Sequence, residues 1–135
     1  MNNCEAAYLA GIIDGEGSIT LTRMHEKENR RPCISVASTD KELLEYIKSI
    51  AGGVINNKKN YNPNKHKDSY TLYIKRKHEV FYFLEKIYPF LRIEKKKNRA
   101  KFILDNYTNV TPRNGKYNQE QLSQKQLFET DFFLI

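Results

Sequence analysis

Two carboxylates, Asp14 and Glu16, stand one residue apart at the end of a run of small and apolar residues, Leu9-Ala10-Gly11-Ile12-Ile13-Asp14-Gly15-Glu16-Gly17. Apolar or small side chains at Ala7, Leu9, Ala10, Ile12 and Ile13 predict a helix over residues 4–14, stopped by Gly15 and Gly17. Both acids then sit at a helix C-terminus, where the macrodipole disfavours each by about 0.3–1 kcal/mol. A divalent cation would justify that placement, because carboxylates and the unpaired carbonyls of a last helical turn are hard oxygen ligands. Ala7, Gly11 and Gly15, four apart, leave one face of the same helix nearly bare, so a second helix could approach it closely. His25, His66 and His78 share no ligand spacing with one another or with Cys4 and Cys33, and the two cysteines make neither a disulfide framework nor a zinc set.

The elements that would hold these acids follow along the chain. Ser18–Arg23 and Cys33–Ser38 alternate polar and apolar, as the two strands of a hairpin with a long polar loop. Thr39 or Asp40 is an N-cap for a helix Lys41–Ile50, which Gly52-Gly53 ends. Val54–Lys59 and Ser69–Arg76 form a second hairpin. A helix over His78–Tyr88 stops at Pro89, another runs to about Tyr107, and a short one lies around Asn118–Phe128. Hairpins in place of crossovers imply an α+β fold, with helices on one face of an antiparallel sheet and the other face free. The free face should carry Ser18, Thr20, Thr22, Met24, Ser35, Asn56, Lys58, Thr71, Tyr73 and Lys75, a polar and basic surface able to lie in a DNA groove.

Charge supports that reading. The 135 residues carry 23 Lys and Arg against 16 Asp and Glu. Residues 1–22 hold three acids and no base, residues 54–77 hold seven bases against Asp68 alone, and residues 92–101 hold six against Glu94. A basic surface broken by one acidic island suits a metal-dependent enzyme acting on nucleic acid: bases hold phosphates, and acids collect the cation. The basic runs also read as solvated faces, the commoner meaning of such runs in an arbitrary protein. No apolar run approaches the ~20 residues of a spanning helix, and residues 1–17 lack a signal peptide's basic start, which predicts a non-secreted, intracellular protein.

The stretch LAGIIDGEG resembles the signature of the LAGLIDADG homing endonucleases, identical at six of nine positions. The α-β-β-α-β-β-α order, the turn Pro89-Phe90-Leu91-Arg92 and the lysine-rich helix after it extend the resemblance over residues 1–107, as a core domain whose sheet is a DNA-binding saddle. Residues 108–135 fall outside it, as a C-terminal extension. One motif copy implies the homodimeric type, paired through Ala7, Ala10, Gly11 and Gly15. Cutting two strands with one Glu16 per chain requires two chains in any case.

The resemblance implies a sequence-specific double-strand DNA endonuclease that leaves 3′ overhangs, acts on a long pseudo-palindromic site and serves intron or intein mobility. Mg2+ is the expected cofactor, with Mn2+ or Ca2+ as substitutes for binding. Glu16 would ligate the metal with the Gly15 carbonyl, while Asp14, more structural in the family's pattern, stays a second candidate. Ser38 or a neighbour would stand at the water-activating position, where relatives place a longer polar side chain. Glu94 stands where relatives carry a base near the phosphate, so Lys96 or Lys95 takes that role. Two alternatives stay open: a maturase that binds intron RNA without cutting, and a noncatalytic DNA-binding regulator.

Overall fold

The computed structural model describes residues 1–135. Helix α1 (Asn3–Glu16) runs into strand β1 (Gly17–Thr22), followed by β2 (Arg31–Ser38), α2 (Lys41–Ala51), β3 (Val54–Asn57), β4 (Tyr70–Ile74), α3 (Lys77–Ile87), α4 (Glu94–Asn106) and α5 (Gln119–Phe133). The four strands form one antiparallel sheet in the order β1-β2-β4-β3. Both expected hairpins are present, and all the expected helices.

Apolar alternation fixes which side of the sheet is covered. Ile19, Leu21, Ile34, Val36, Leu72 and Ile74 point into a common core with Leu9 and Ile13 of α1, Leu44 and Ile47 of α2, and Phe83 and Leu84 of α3. Residues paired across strands share a face, so the opposite side is read from the register in rows: Ser18–Ser35–Tyr73–Val54, then Ala37–Thr71–Asn56, then Thr20–Cys33 and Thr22–Arg31.

Several boundaries differ from the sequence reading. Helix α1 continues through Gly15 and Glu16 and ends at Gly17, whose N–H donates to the Ile13 carbonyl. A Cβ on Gly17 would lie 2.6 Å from Ile13 Cδ1 and 2.7 Å from its Cα, so the tight exit into β1 needs glycine. Gly15 has no such constraint, and nothing there stops the helix. Strand β3 is four residues long and β4 five, leaving most of the basic residues between them in a loop. At the α2–β3 turn Gly52 and Gly53 take φ of +83° and +94°, and a Cβ on Gly53 would meet the Tyr73 carbonyl at 2.7 Å.

Helix α5 is a full 15 residues, opened by a reciprocal cap between Asn118 and Gln121. Its Phe128 and Phe132 belong to the same core, and Phe102 of α4 stacks on Phe128 with ring centroids 5.1 Å apart. No helix is long and apolar enough to cross a membrane.

Candidate metal and nucleic-acid site

Helix α1 starts from a capping box in which Asn2 Oδ1 accepts from the Glu5 amide and Glu5 Oε1 accepts from the Asn2 amide. Ala6, Leu9, Ala10 and Ile13 then bury one stripe against the core. The other side presents Ala7, Tyr8, Gly11 and Gly15 to solvent. Ala10, grouped above with the interface residues, is completely buried in the chain's own core. It follows Leu9 on the inward side, so the bare stripe is Ala7, Gly11 and Gly15 alone.

At the C-terminal end of α1, helix α4 supplies what the helix dipole lacks. Lys96 Nζ donates to the carbonyls of Ile13 and Asp14, both at 2.8 Å. A cation on the last-turn carbonyls is the favourable arrangement for a helix terminus. In return, Asp14 Oδ2 accepts from the Arg92 amide at 2.8 Å and Oδ1 from the Ile93 amide at 3.1 Å, which caps the start of α4. Both oxygens of Asp14 are therefore engaged in joining two helices. Arg99, one turn beyond Lys96, donates to the Ile19 carbonyl at 3.1 Å and lies 4.7 Å from the Phe132 ring centroid, fastening β1 and α5 to α4.

Glu16 differs from Asp14. It is the last residue of α1, exposed, and takes part in none of the ion pairs. The Gly15 carbonyl accepts no side-chain donor and enters no backbone bond outside the regular ladders. One free carboxylate beside one free carbonyl, at a helix end, is a donor set that fits part of a hard divalent cation's shell. No three His, Cys, Asp or Glu side chains cluster to complete such a shell within one chain. A complete shell would need ligands from elsewhere.

Ser38 ends β2 close by, two residues beyond Val36, which pairs with Gly17. Its Oγ accepts from the Asp40 amide at 3.0 Å, closing the turn into α2. Asp40 itself occupies the N-cap position of α2 but makes no side-chain cap. The structure thus gathers Glu16, Gly15, Asp14 and Lys96 at one helix junction, with Ser38 on the adjoining strand. Glu94 and Lys95 are exposed on the first turn of α4, and Lys97 lies over the Tyr88 ring at 5.3 Å, so the three lysines point to three different surroundings.

The open face of the sheet carries most of the residues expected there, Lys58 and Thr71 being the exceptions. Met24, Asn56, Tyr73 and Lys75 surround one groove of about 510 Å³, together with Arg31. Ser18, Thr20, Thr22 and Ser35 are half-buried in the neighbouring rows. Lys58 stands apart in the β3–β4 loop, grouped with Lys59, His66 and Lys67. Thr71 departs from the expectation of an accessible contact: it is 5% exposed, and its hydroxyl has no partner.

Arg31 and Cys33 were missed, although they continue the alternation through Ser35 that placed Ser35 on this face. Cys33 is buried between Thr20 and the end of β4; burial pushes its thiol pKa up, opposed by the nearby Lys75 charge.

Residues 3–88 match the family described as the LAGLIDADG-like domain, well over half of the chain, and the chain belongs to that family. Among solved structures it is similar to the homing endonuclease I-CvuI, in a complex with DNA in the presence of Mg, at a TM-score of 0.76 and 22% identity. That likeness covers 97% of this chain and 81% of the other. The archaeal intron-encoded homing endonuclease I-Vdi141I, complexed with DNA, matches at a TM-score of 0.64 and 17% identity over 98% of this chain and 84% of its own. I-SmaMI, bound to uncleaved DNA in the presence of calcium ions, matches at 0.63 and 20% identity over 98% of this chain but 45% of its own. At these identities the likeness is one of fold. No curated protein sequence matches the chain.

Proposed function

We propose that the protein is a divalent-metal-dependent DNA endonuclease that acts as a homodimer, with Glu16 as its metal ligand. The observation that carries this is the contrast between the two acids of the motif: Asp14 is spent on the α4 cap, while Glu16 is left unpaired at the helix end beside the Gly15 carbonyl. A carboxylate with no structural partner at a helix C-terminus is free to take a cation.

When bound, the cation would polarise the scissile phosphate and lower the pKa of an attacking water. The chain's residues divide the remaining work. Glu16 and the Gly15 carbonyl hold their part of the shell, and Lys96 fixes the helix end that presents them. The open sheet face, with Arg31, Tyr73 and Lys75, receives the duplex. Ser38, with its Oγ already accepting an amide, is suited to orienting a water and not to deprotonating one.

A second chain supplies what one lacks. The stripe of Ala7, Gly11 and Gly15 lets two α1 helices meet backbone to backbone, which would set two Glu16 residues near two scissile phosphates. The chain's match to under half of the length of I-SmaMI supports this pairing. By the same analogy the site would be long and pseudo-palindromic, the products would carry 3′ overhangs, and the reaction would serve mobility of an intron or similar element.

Cleavage of a cognate duplex by Glu16→Gln tests the assignment. Loss of cutting in Mg2+ with retained duplex binding is expected; a variant that still nicks the site overturns it. Binding to intron RNA in preference to duplex DNA at matched salt, with no cleavage by the unaltered chain, would favour the maturase alternative.

A further inference from the structure

The most basic cleft of the molecule is not on the sheet face. It lies between the β1–β2 loop, the residues after β4 and the segment that leads into α5, with a volume of about 460 Å³. Seven of its 14 lining residues are Lys or Arg, against Glu28 as the one acid, and Glu28 is itself paired with Arg31 at 3.8 Å. Its walls come from three distant parts of the chain, including residues outside the family match, so the cleft exists only in the folded protein.

One lining residue stands out. Lys125 is completely buried, yet none of the ion pairs includes it. Its ammonium donates to Thr111 Oγ1 at 2.5 Å and rests 4.1 Å from the Tyr107 ring centroid. Glu129, one turn along α5, has Oε1 occupied by the Arg30 amide at 2.9 Å. A buried ammonium whose one hydrogen-bond acceptor is neutral, and whose neighbouring carboxylate Glu129 is partly engaged elsewhere, is only partly compensated for its lost hydration. Burial holds its pKa down at about 8, with Lys77 lowering it further and Glu129 opposing.

We infer that this cleft is a phosphate-binding site, in which Lys125, Lys77 and Arg30 surround a multiply charged oxyanion. A singly charged carboxylate would leave most of these cations unmatched, whereas a phosphate group accepts charge-assisted hydrogen bonds on several oxygens at once. The phosphate has two possible sources, free phosphate or pyrophosphate, or the backbone of a bound nucleic acid. The second is open because Arg31, Lys75 and Arg76 line both this cleft and the groove on the sheet; that source rests on the DNA-binding reading above, whereas the first does not.

The test uses the full chain and two variants, Lys125→Met, which keeps the buried volume, and Lys77→Gln, which alters the cleft without touching the core. Calorimetric titration with pyrophosphate reads the free source. The slope of log binding constant against log salt for duplex DNA reads the backbone source. Pyrophosphate binding that both variants weaken about ten-fold, with an unchanged slope, establishes a site for a free phosphate. A slope reduced by about one in both variants establishes a backbone contact. An unchanged slope, together with pyrophosphate binding that is absent in the unaltered chain or intact in both variants, overturns the site.

Discussion

Asp14 and Lys96 cap each other's helices. The Asp14 carboxylate takes the amides of Arg92 and Ile93 ahead of α4, and the Lys96 ammonium of α4 takes the carbonyls of Ile13 and of Asp14 itself. The motif's first acid and the middle lysine of the Lys95–Lys97 run thus form one clamp, two residues before Glu16 at the end of α1.

The clamp predicts a graded loss. Asp14→Ala strips two amides of their acceptor and should cost about 1–2 kcal/mol in urea unfolding, while Asp14→Asn, which retains an acceptor, should cost less. Lys96→Met should couple to Asp14→Ala by more than about 0.5 kcal/mol in a double-mutant cycle. Additive losses would mean that the two caps are independent.

The glycines of the motif should separate by role. Gly17→Ala drives a Cβ into Ile13 and should destabilise the fold by about 1–3 kcal/mol. Gly11→Ala and Gly15→Ala meet no atom within 4 Å and replace helical glycines, so they should stabilise the isolated chain by about 0.5–1 kcal/mol. If the stripe is the dimer contact, the same two variants should weaken association in sedimentation experiments. Unaltered association would place the interface elsewhere.

Over the sheet and its β3–β4 loop, charge and hydrogen bonding should be separable. Lys58→Gln and Lys75→Gln should each lower DNA affinity across sequences and reduce the salt slope by about one. Ser35→Ala should leave the slope alone and change only the preference among target sequences. A slope that ignores both lysines would remove them from the phosphate path.

Lys125 predicts a stability profile with pH. Its pKa of about 8 in the folded chain lies below the ordinary lysine value of 10.5, so the native state loses this proton first. Between those two values the unfolded chain holds a proton that the native chain lacks, and this group's contribution makes stability rise with pH. Below pH 8 both states are protonated, and the cost of the buried charge is felt in full. Relative to Lys125→Met, the unaltered chain should gain about 2 kcal/mol between pH 7.5 and 10 in urea unfolding. A constant difference would show that the ammonium is not buried unpaired.

Much of this architecture was legible from local pattern. Alternation located the two strands of the first hairpin, the second hairpin was read on either side of a polar loop, and the apolar spacing located the helices, because each element buries one face and its period survives in the chain. What escaped depends on contacts between distant residues. Helix α1 outruns its glycines because Lys96, 82 residues away, satisfies the last turn. Ala10 looked like part of the small-residue stripe because size is visible in a sequence and the direction of packing is not. The length of α5 is set by Phe128 and Phe132 reaching the core, and its outer residues give no such period. The division of labour between Asp14 and Glu16 was only half visible: two acids at a helix end read alike until the amides of Arg92 and Ile93 take one of them.

The clamp also constrains the order in which the protein can be made. Asp14 bonds to Arg92 across 78 residues, Lys96 to Asp14 across 82, and Arg99 to Ile19 across 80, so the earliest helix is tied down by one of the last to be synthesised. During translation, a chain that has reached the end of the family-matched segment at residue 88 still lacks every one of these ties. The end of α1 must then wait with its last carbonyls open to water. Closing so long a loop is the slow, late step expected of folds rich in distant contacts. The end of the segment that carries the motif is therefore fixed only once the start of α4 has been made, and a ribosome-bound chain arrested short of residue 92 should have α1 frayed at the end that carries Glu16.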